Sequence, residues 1–208
     1  RQVGGGVTAF ATDPAQSVVA LTLGGELVVI EPDSGAVRTL DTGGGVVDPR
    51  PDPSGRLVGY VRAGGLHVVR ADGTGHRALA EPDGTVVSYG LPEHVAAESM
   101  HRTRGWWWSP DGRRVAVARV DESRVQVWHI ANLADPLAPP VALRYPGAGT
   151  TNADVSLHVV DLDGGRVEVS WDRVAFEYLT AVDWDATGLT IAVQNRSQTR
   201  VQVLRAEP

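Results

Sequence analysis

The sequence predicts an all-β fold, a partial β-propeller of about four antiparallel blades with one short inserted helix, on three observations. A unit recurs in which a short apolar strand meets a Pro/Asp/Gly turn and a second apolar strand follows at once. Its turn residues suit tight reversals, because proline fixes φ, glycine permits positive φ and aspartate bonds its own backbone. The spacing from Gln16 to Gly55, 39 residues, is close to the ~40–45 of a four-stranded blade.

Taken in order, the first unit is Phe10-Ala11-Thr12-Asp13-Pro14-Ala15-Gln16-Ser17-Val18-Val19-Ala20-Leu21, a worn copy with Gln16 where the others carry glycine. Leu27-Val28-Val29-Ile30 continues it and runs into Pro32-Asp33-Ser34-Gly35. The second unit turns through Asp52-Pro53-Ser54-Gly55 and ends at Tyr60, followed by Leu66-His67-Val68-Val69 and the turn Asp72-Gly73. Pro92–Met100 lacks strand chemistry; its alanines, glutamates and early proline predict a short helix. The third unit is Gly105-Trp106-Trp107-Trp108-Ser109-Pro110-Asp111-Gly112-Arg113-Arg114-Val115-Ala116-Val117-Ala118. Val125–Ile130 alternates at period two and predicts a strand of an inserted hairpin. Leu157–Val160, the turn Asp163-Gly164-Gly165 and the strand from Arg166 to Trp171 complete that blade. The fourth unit runs from Val182 to Val193, with a further strand at Val201–Leu204.

The later turn-to-turn spacings are 57 residues from Gly55 to Gly112 and 76 from Gly112 to Gly188. The excess falls at about 80–104 and 131–153, and insertions in repeat folds project as loops on one face, often the binding face. Residues 1–208 are expected to be part of one propeller domain. The chain begins Arg1-Gln2-Val3 without an initiator methionine and ends Ala206-Glu207-Pro208, so the expectation is an internal portion of a larger protein.

Composition excludes several classes. Net charge is −6 with no long single-sign run, against a nucleic-acid surface. No stretch approaches the ~20 apolar residues of a membrane span. There is no cysteine, which removes thiolate catalysis and Cys-zinc sites and agrees with a reducing, cytoplasmic setting. The histidines, at 67, 76, 94, 101, 129 and 158, form no metal-ligand spacing, and Gly4-Gly5-Gly6 and Gly43-Gly44-Gly45 open no phosphate-binding helix. No metal and no cofactor is expected.

Gly90-Leu91-Pro92-Glu93-His94-Val95-Ala96-Ala97-Glu98-Ser99-Met100, followed by Trp107-Trp108-Ser109-Pro110-Asp111-Gly112, resembles the propeller of the dipeptidyl peptidase IV family, serine exopeptidases of the prolyl oligopeptidase clan. A second stretch, Arg144-Tyr145-Pro146-Gly147-Ala148-Gly149-Thr150-Thr151-Asn152 before Leu157-His158-Val159-Val160-Asp161, is similar to that family's Tyr-Pro-x-Ala-Gly-x-x-Asn loop and next strand. The resemblance covers roughly residues 46–208. It implies an eight-bladed propeller capping an α/β-hydrolase domain, with a substrate cavity between them. It further implies that a glutamate pair on the inserted helix binds the free α-ammonium of a peptide. Glu98 falls at the first position of that pair and Ser99 at the second, where serine accepts a hydrogen bond but brings no charge. The first blade has no counterpart of the family's arginine that contacts the substrate carbonyl.

No Gly-x-Ser-x-Gly elbow occurs, so no catalytic residue is assigned, and the nucleophile, acid and histidine are expected in a hydrolase domain beyond Pro208. The expected partners are a peptide with a free N-terminus, the chain's own hydrolase domain and a second copy in a homodimer. The alternative is a non-catalytic β-propeller that binds peptide or protein partners. The plain reading of Glu98 is a solvated carboxylate. Glu93 reads as a carboxylate favouring the helix start; Arg102 and Arg104 flank the helix and could meet a carboxylate partner, with solvated loop arginines as the default; and Trp106–Trp108 read as inter-blade packing in preference to a stacking platform.

Overall fold

Each blade begins with a hairpin, and in the first three its turn is closed by one side chain. In the computed structural model, which describes residues 6–135 and 137–206, Asp13 Oδ1 accepts the Val18 amide and Asp52 Oδ1 the Leu57 amide, both at 2.7 Å. In the third hairpin Ser109 Oγ takes that place, accepting the Arg114 amide at 2.9 Å while donating to Asp111 Oδ1. Gln16 turns at a φ of 57°, beside 70° at Gly55 and 67° at Gly112. The worn copy thus keeps the left-handed turn without the residue best suited to it. Readings that fall on Gly4, Gly5, Glu207 and Pro208 lie outside the described residues.

Strands β1 (Val7–Thr12), β2 (Val19–Leu23), β3 (Glu26–Glu31) and β4 (Ala36–Leu40) pair in sequence order as one antiparallel sheet. β5 (Val47–Pro51), β6 (Leu57–Arg62), β7 (Gly65–Arg70) and β8 (Arg77–Ala80) repeat it. β5 holds Pro49 and Pro51, which a first, edge strand tolerates because it pairs on one side only. The Gly43–Gly45 run connects these two blades.

The third blade contains β9 (Val87–Tyr89), β10 (Trp106–Trp108), β11 (Arg114–Asp121), β14 (Asp154–Asp161) and β15 (Arg166–Val169). Between β9 and β10 lies the helix α1 (His94–Ser99), and between β11 and β14 a separate hairpin of β12 (Val127–Ile130) and β13 (Val141–Arg144). This second departure from blade regularity therefore starts at Glu122, earlier than the spacing placed it, because β12 belongs to the hairpin. The fourth sheet, β16 (Tyr178–Asp185), β17 (Gly188–Gln194) and β18 (Val201–Ala206), has three strands among the described residues.

β9 and β10 share one lane along β11, opposite residues 119–121 and 115–117 respectively. At the join, Ala118 accepts the Gly90 amide at 2.9 Å and donates to Gly105 O at 2.7 Å. The helical segment therefore leaves from the middle of a strand and returns to the same residue. A Cβ on Gly105 would lie 2.4 Å from the Gly90 carbonyl carbon, so only glycine closes this neck.

Three apolar cores lie between successive blades. Tyr60, Leu27 and Val58 join the first two; Trp106, Tyr89 and Leu66 the second and third; Trp107, Leu157 and Ile191 the third and fourth. Trp106 and Trp107 face opposite cores, as alternation along a strand requires, and both are buried. Trp106 and Trp107 thus pack between blades. Trp106 sits over Gly59, where a Cβ would approach its ring to 2.5 Å. Among the described residues no helix is long and apolar enough to cross a membrane.

Candidate functional site

The first strands of the four sheets face a common axis. Thr12 of β1, Arg50 of β5, Trp107 of β10 and Asp183 of β16 line one shallow depression of about 250 Å³ there, together with Arg104. The lane of β9 and β10 is thus the axis-side edge of its blade, and α1 stands on an excursion from that edge. The hairpin of β12 and β13 leaves the far tip of β11, the same end from which the chain returns into β14.

The two sequence stretches that stand out meet in space. The His94 ring, at the start of α1, packs edge-on against Tyr145 at 4.8 Å between centroids. Tyr145 in turn packs against Trp128 of β12. Both stretches are then tied to the beginning of β16. Asn152 Nδ2 donates to Glu177 Oε1 at 2.6 Å and to the Tyr178 hydroxyl at 3.0 Å. One residue further on, Leu179 O accepts from Arg102 Nε at 2.8 Å. Three consecutive residues therefore hold the helix flank and the Tyr-Pro loop in register.

Glu98 and Ser99 sit on the last turn of α1 and both are exposed. An exposed carboxylate with a hydroxyl beside it is chemically able to receive a cation from solvent. Glu93 and Arg102 correct the sequence reading. Both are buried, and they form an ion pair. Glu93 makes no side-chain cap at the helix start; its carboxylate turns inward and pairs with Arg102. Burial holds the Arg102 pKa below its usual range, against the opposing effect of Glu93. Arg104 is half-buried and lies 5.6 Å from the Trp107 ring centre; burial and the neighbouring Arg50 lower its pKa to about 10. Glu122, at the base of the hairpin, is pushed up by burial, with Arg144 and His94 opposing.

A wider groove of about 730 Å³ lies beyond the Tyr-Pro loop, lined by Thr150, Asn152, Asp172, Arg173, Glu177 and Arg196 among others. Its charges are largely paired, Arg173 to Asp154 and Glu168 and Arg196 to Glu177. Glu98 does not line it. Among the described residues no cluster of three or more His, Cys, Asp or Glu has the geometry to hold a metal ion.

Comparison with known proteins places this arrangement. The family described as the dipeptidyl peptidase IV N-terminal region matches residues 15–208. A venom dipeptidyl peptidase 4 of Vespa velutina is 38% identical over 137 residues, 57% of this chain and 17% of that protein. Dipeptidyl peptidase 8 of Mus musculus is 27% identical over 157 residues, 64% of this chain and 18% of that protein. The crystal structure of Porphyromonas gingivalis dipeptidyl peptidase 4 superposes with a TM-score of 0.82 at 23% identity, over 95% of this chain and 30% of that one. The chain thus spans less than a fifth of the two curated relatives, and the structural likeness establishes the propeller fold.

Proposed function

This chain belongs to the dipeptidyl peptidase IV N-terminal region family, and from that premise we propose that it is the propeller portion of a longer serine exopeptidase. In this reading it gates access to an α/β-hydrolase domain encoded elsewhere in the same chain and anchors the N-terminus of the peptide substrate. The relatives named above are dipeptidyl peptidases, which supports a peptidase parent. The observation that carries the anchoring role is Glu98, exposed on a helix that leaves the axis-side edge of its blade. There it receives the substrate α-ammonium, with Ser99 accepting a second hydrogen bond. With one carboxylate in place of two, the site holds the ammonium by a single charged partner. A homodimer belongs to the same reading, and the hairpin of β12 and β13, with Leu133 and Leu137 exposed, is its surface.

The test is Glu98→Ala in the full-length enzyme. A charge-assisted hydrogen bond contributes roughly 1.5–3 kcal/mol, so kcat/KM on free-amine peptides falls ~10- to 150-fold. Peptides with a blocked N-terminus keep their rate, because they carry no ammonium. Ser99→Glu strengthens the preference for free amines. Equal losses on both substrates would reject the anchor.

A further inference from the structure

The helix that carries Glu98 has little of its own to hold it. It is six residues long, buries Ala96 alone, and has no acidic residue in its first turn and no basic one in its last. Helices so short are not stable by themselves in water. Its direction is therefore set by its flanks, and there the chain places its most buried ion pair. Glu93 precedes the helix and Arg102 follows it, with each side chain 4% exposed and Arg102 Nη2 donating to Glu93 Oε2. The same guanidinium donates from Nε to Leu179 O and from Nη1 to Arg104 O, both at 2.8 Å. The Arg102 amide also reaches back to Ala96 O at 3.0 Å, past His101, which stands at a φ of 56°.

One planar, fixed fork thus joins the start of the excursion, its end and the first strand of the next blade, which a lysine has no geometry to do. The pair is poorly accounted for by stability, since apolar residues of similar volume often serve a buried site as well or better. What apolar residues do not supply is direction. Ala118 pins only the neck of the excursion, so without the pair α1 keeps its direction only through the packing of His94 on Tyr145 and the burial of Ala96.

We propose that Glu93 and Arg102 are positioning residues, a buried latch that fixes the direction of α1, and with it Glu98, relative to β16. The proposal rests on the reading of Glu98 as the ammonium anchor. It is tested in the full-length protein with Glu93→Leu/Arg102→Met, which leaves no lone buried charge, beside Arg102→Lys, which keeps the charge and loses the fork. Amide hydrogen exchange over residues 94–100 speeds up in the double variant while the melting temperature stays near that of the parent. KM for free-amine dipeptide substrates rises roughly 10- to 100-fold, with kcat and the rates on blocked peptides little changed. Arg102→Lys falls between, and it decides the matter alone should the double variant fail to fold. Unchanged exchange over 94–100, or equal KM increases on free and blocked peptides, overturns the latch. A parent protein with no peptidase activity rejects the anchor reading instead, and the exchange measurement then judges the latch independently.

Discussion

Gln16 is a single residue whose cost can be read directly. Its φ of 57° and exposed side chain put it in a conformation that glycine adopts freely. The left-handed region costs a non-glycine residue about 1–2 kcal/mol, partly offset by the greater freedom glycine has in the unfolded chain. Gln16→Gly should therefore raise stability by about 0.5–1 kcal/mol, measured as a higher denaturant midpoint at an unchanged slope. His158 is the opposite kind of residue, buried on β14 with its Nε2 3.0 Å from Ser156 Oγ. Burial, with Arg166 adding to it, lowers its pKa from 6.5 to about 4. Between those values the unfolded chain takes up a proton that the folded one refuses, so stability is lost as pH falls from 6.5 toward 4. Allowing for screening by its charged neighbours, the loss is about 1–3 kcal/mol. In His158→Gln the fall in melting temperature across that window should shrink; an unchanged pH profile would show that the imidazole ionises freely in the fold.

At the scale of elements, the strands and turns were legible because their chemistry is local. Asp13, Asp52 and Ser109 close hairpins with amides five residues away, and the alternation of Trp106 and Trp107 is a property of any strand. The helix was legible for the same reason, within two residues at its start. The split lane of β9 and β10 was not, since it depends on both ends of the excursion meeting Ala118, which no window of sequence contains. Nor was the burial of Glu93 and Arg102, because what covers them comes from β16, beginning more than seventy residues further along. A clue did exist, in opposite charges on either side of a helix too short to stand alone. Gly105 tests the neck. Gly105→Ala sets a methyl against the Gly90 carbonyl at 2.4 Å, where the neighbours are backbone. Overpacking of this kind costs about 1–3 kcal/mol. The change should destabilise the third blade and quicken amide exchange at Gly90 and Ala118 first. Exchange that quickens uniformly over all four sheets would mean that the neck has no local role.

At the scale of the whole molecule, every core lies between two successive blades, so the first and last sheets each have one face with no described neighbour. Both faces expose apolar side chains: Phe10 on β1 is 72% exposed and Val203 on β18 is 71% exposed. The hairpin tip adds Leu133 and Leu137, exposed by 92% and 96%. Exposed apolar patches and unpaired strand edges drive association, and here the two kinds of surface are separable. In the proposed parent enzyme neighbouring blades cover the faces of β1 and β18, whereas the hairpin stays on the outside. Residues 1–208 expressed alone should therefore oligomerise through the blade faces, and sedimentation velocity should show Phe10→Ser with Val203→Ser shifting the distribution toward monomer. Leu133→Ser with Leu137→Ser should change the isolated region little, yet lower the dimer fraction of the full-length protein. A monodisperse monomer of residues 1–208 with a cooperative melt would show that these faces need no covering. The chain would then be a self-sufficient unit and no longer a sector of a larger ring.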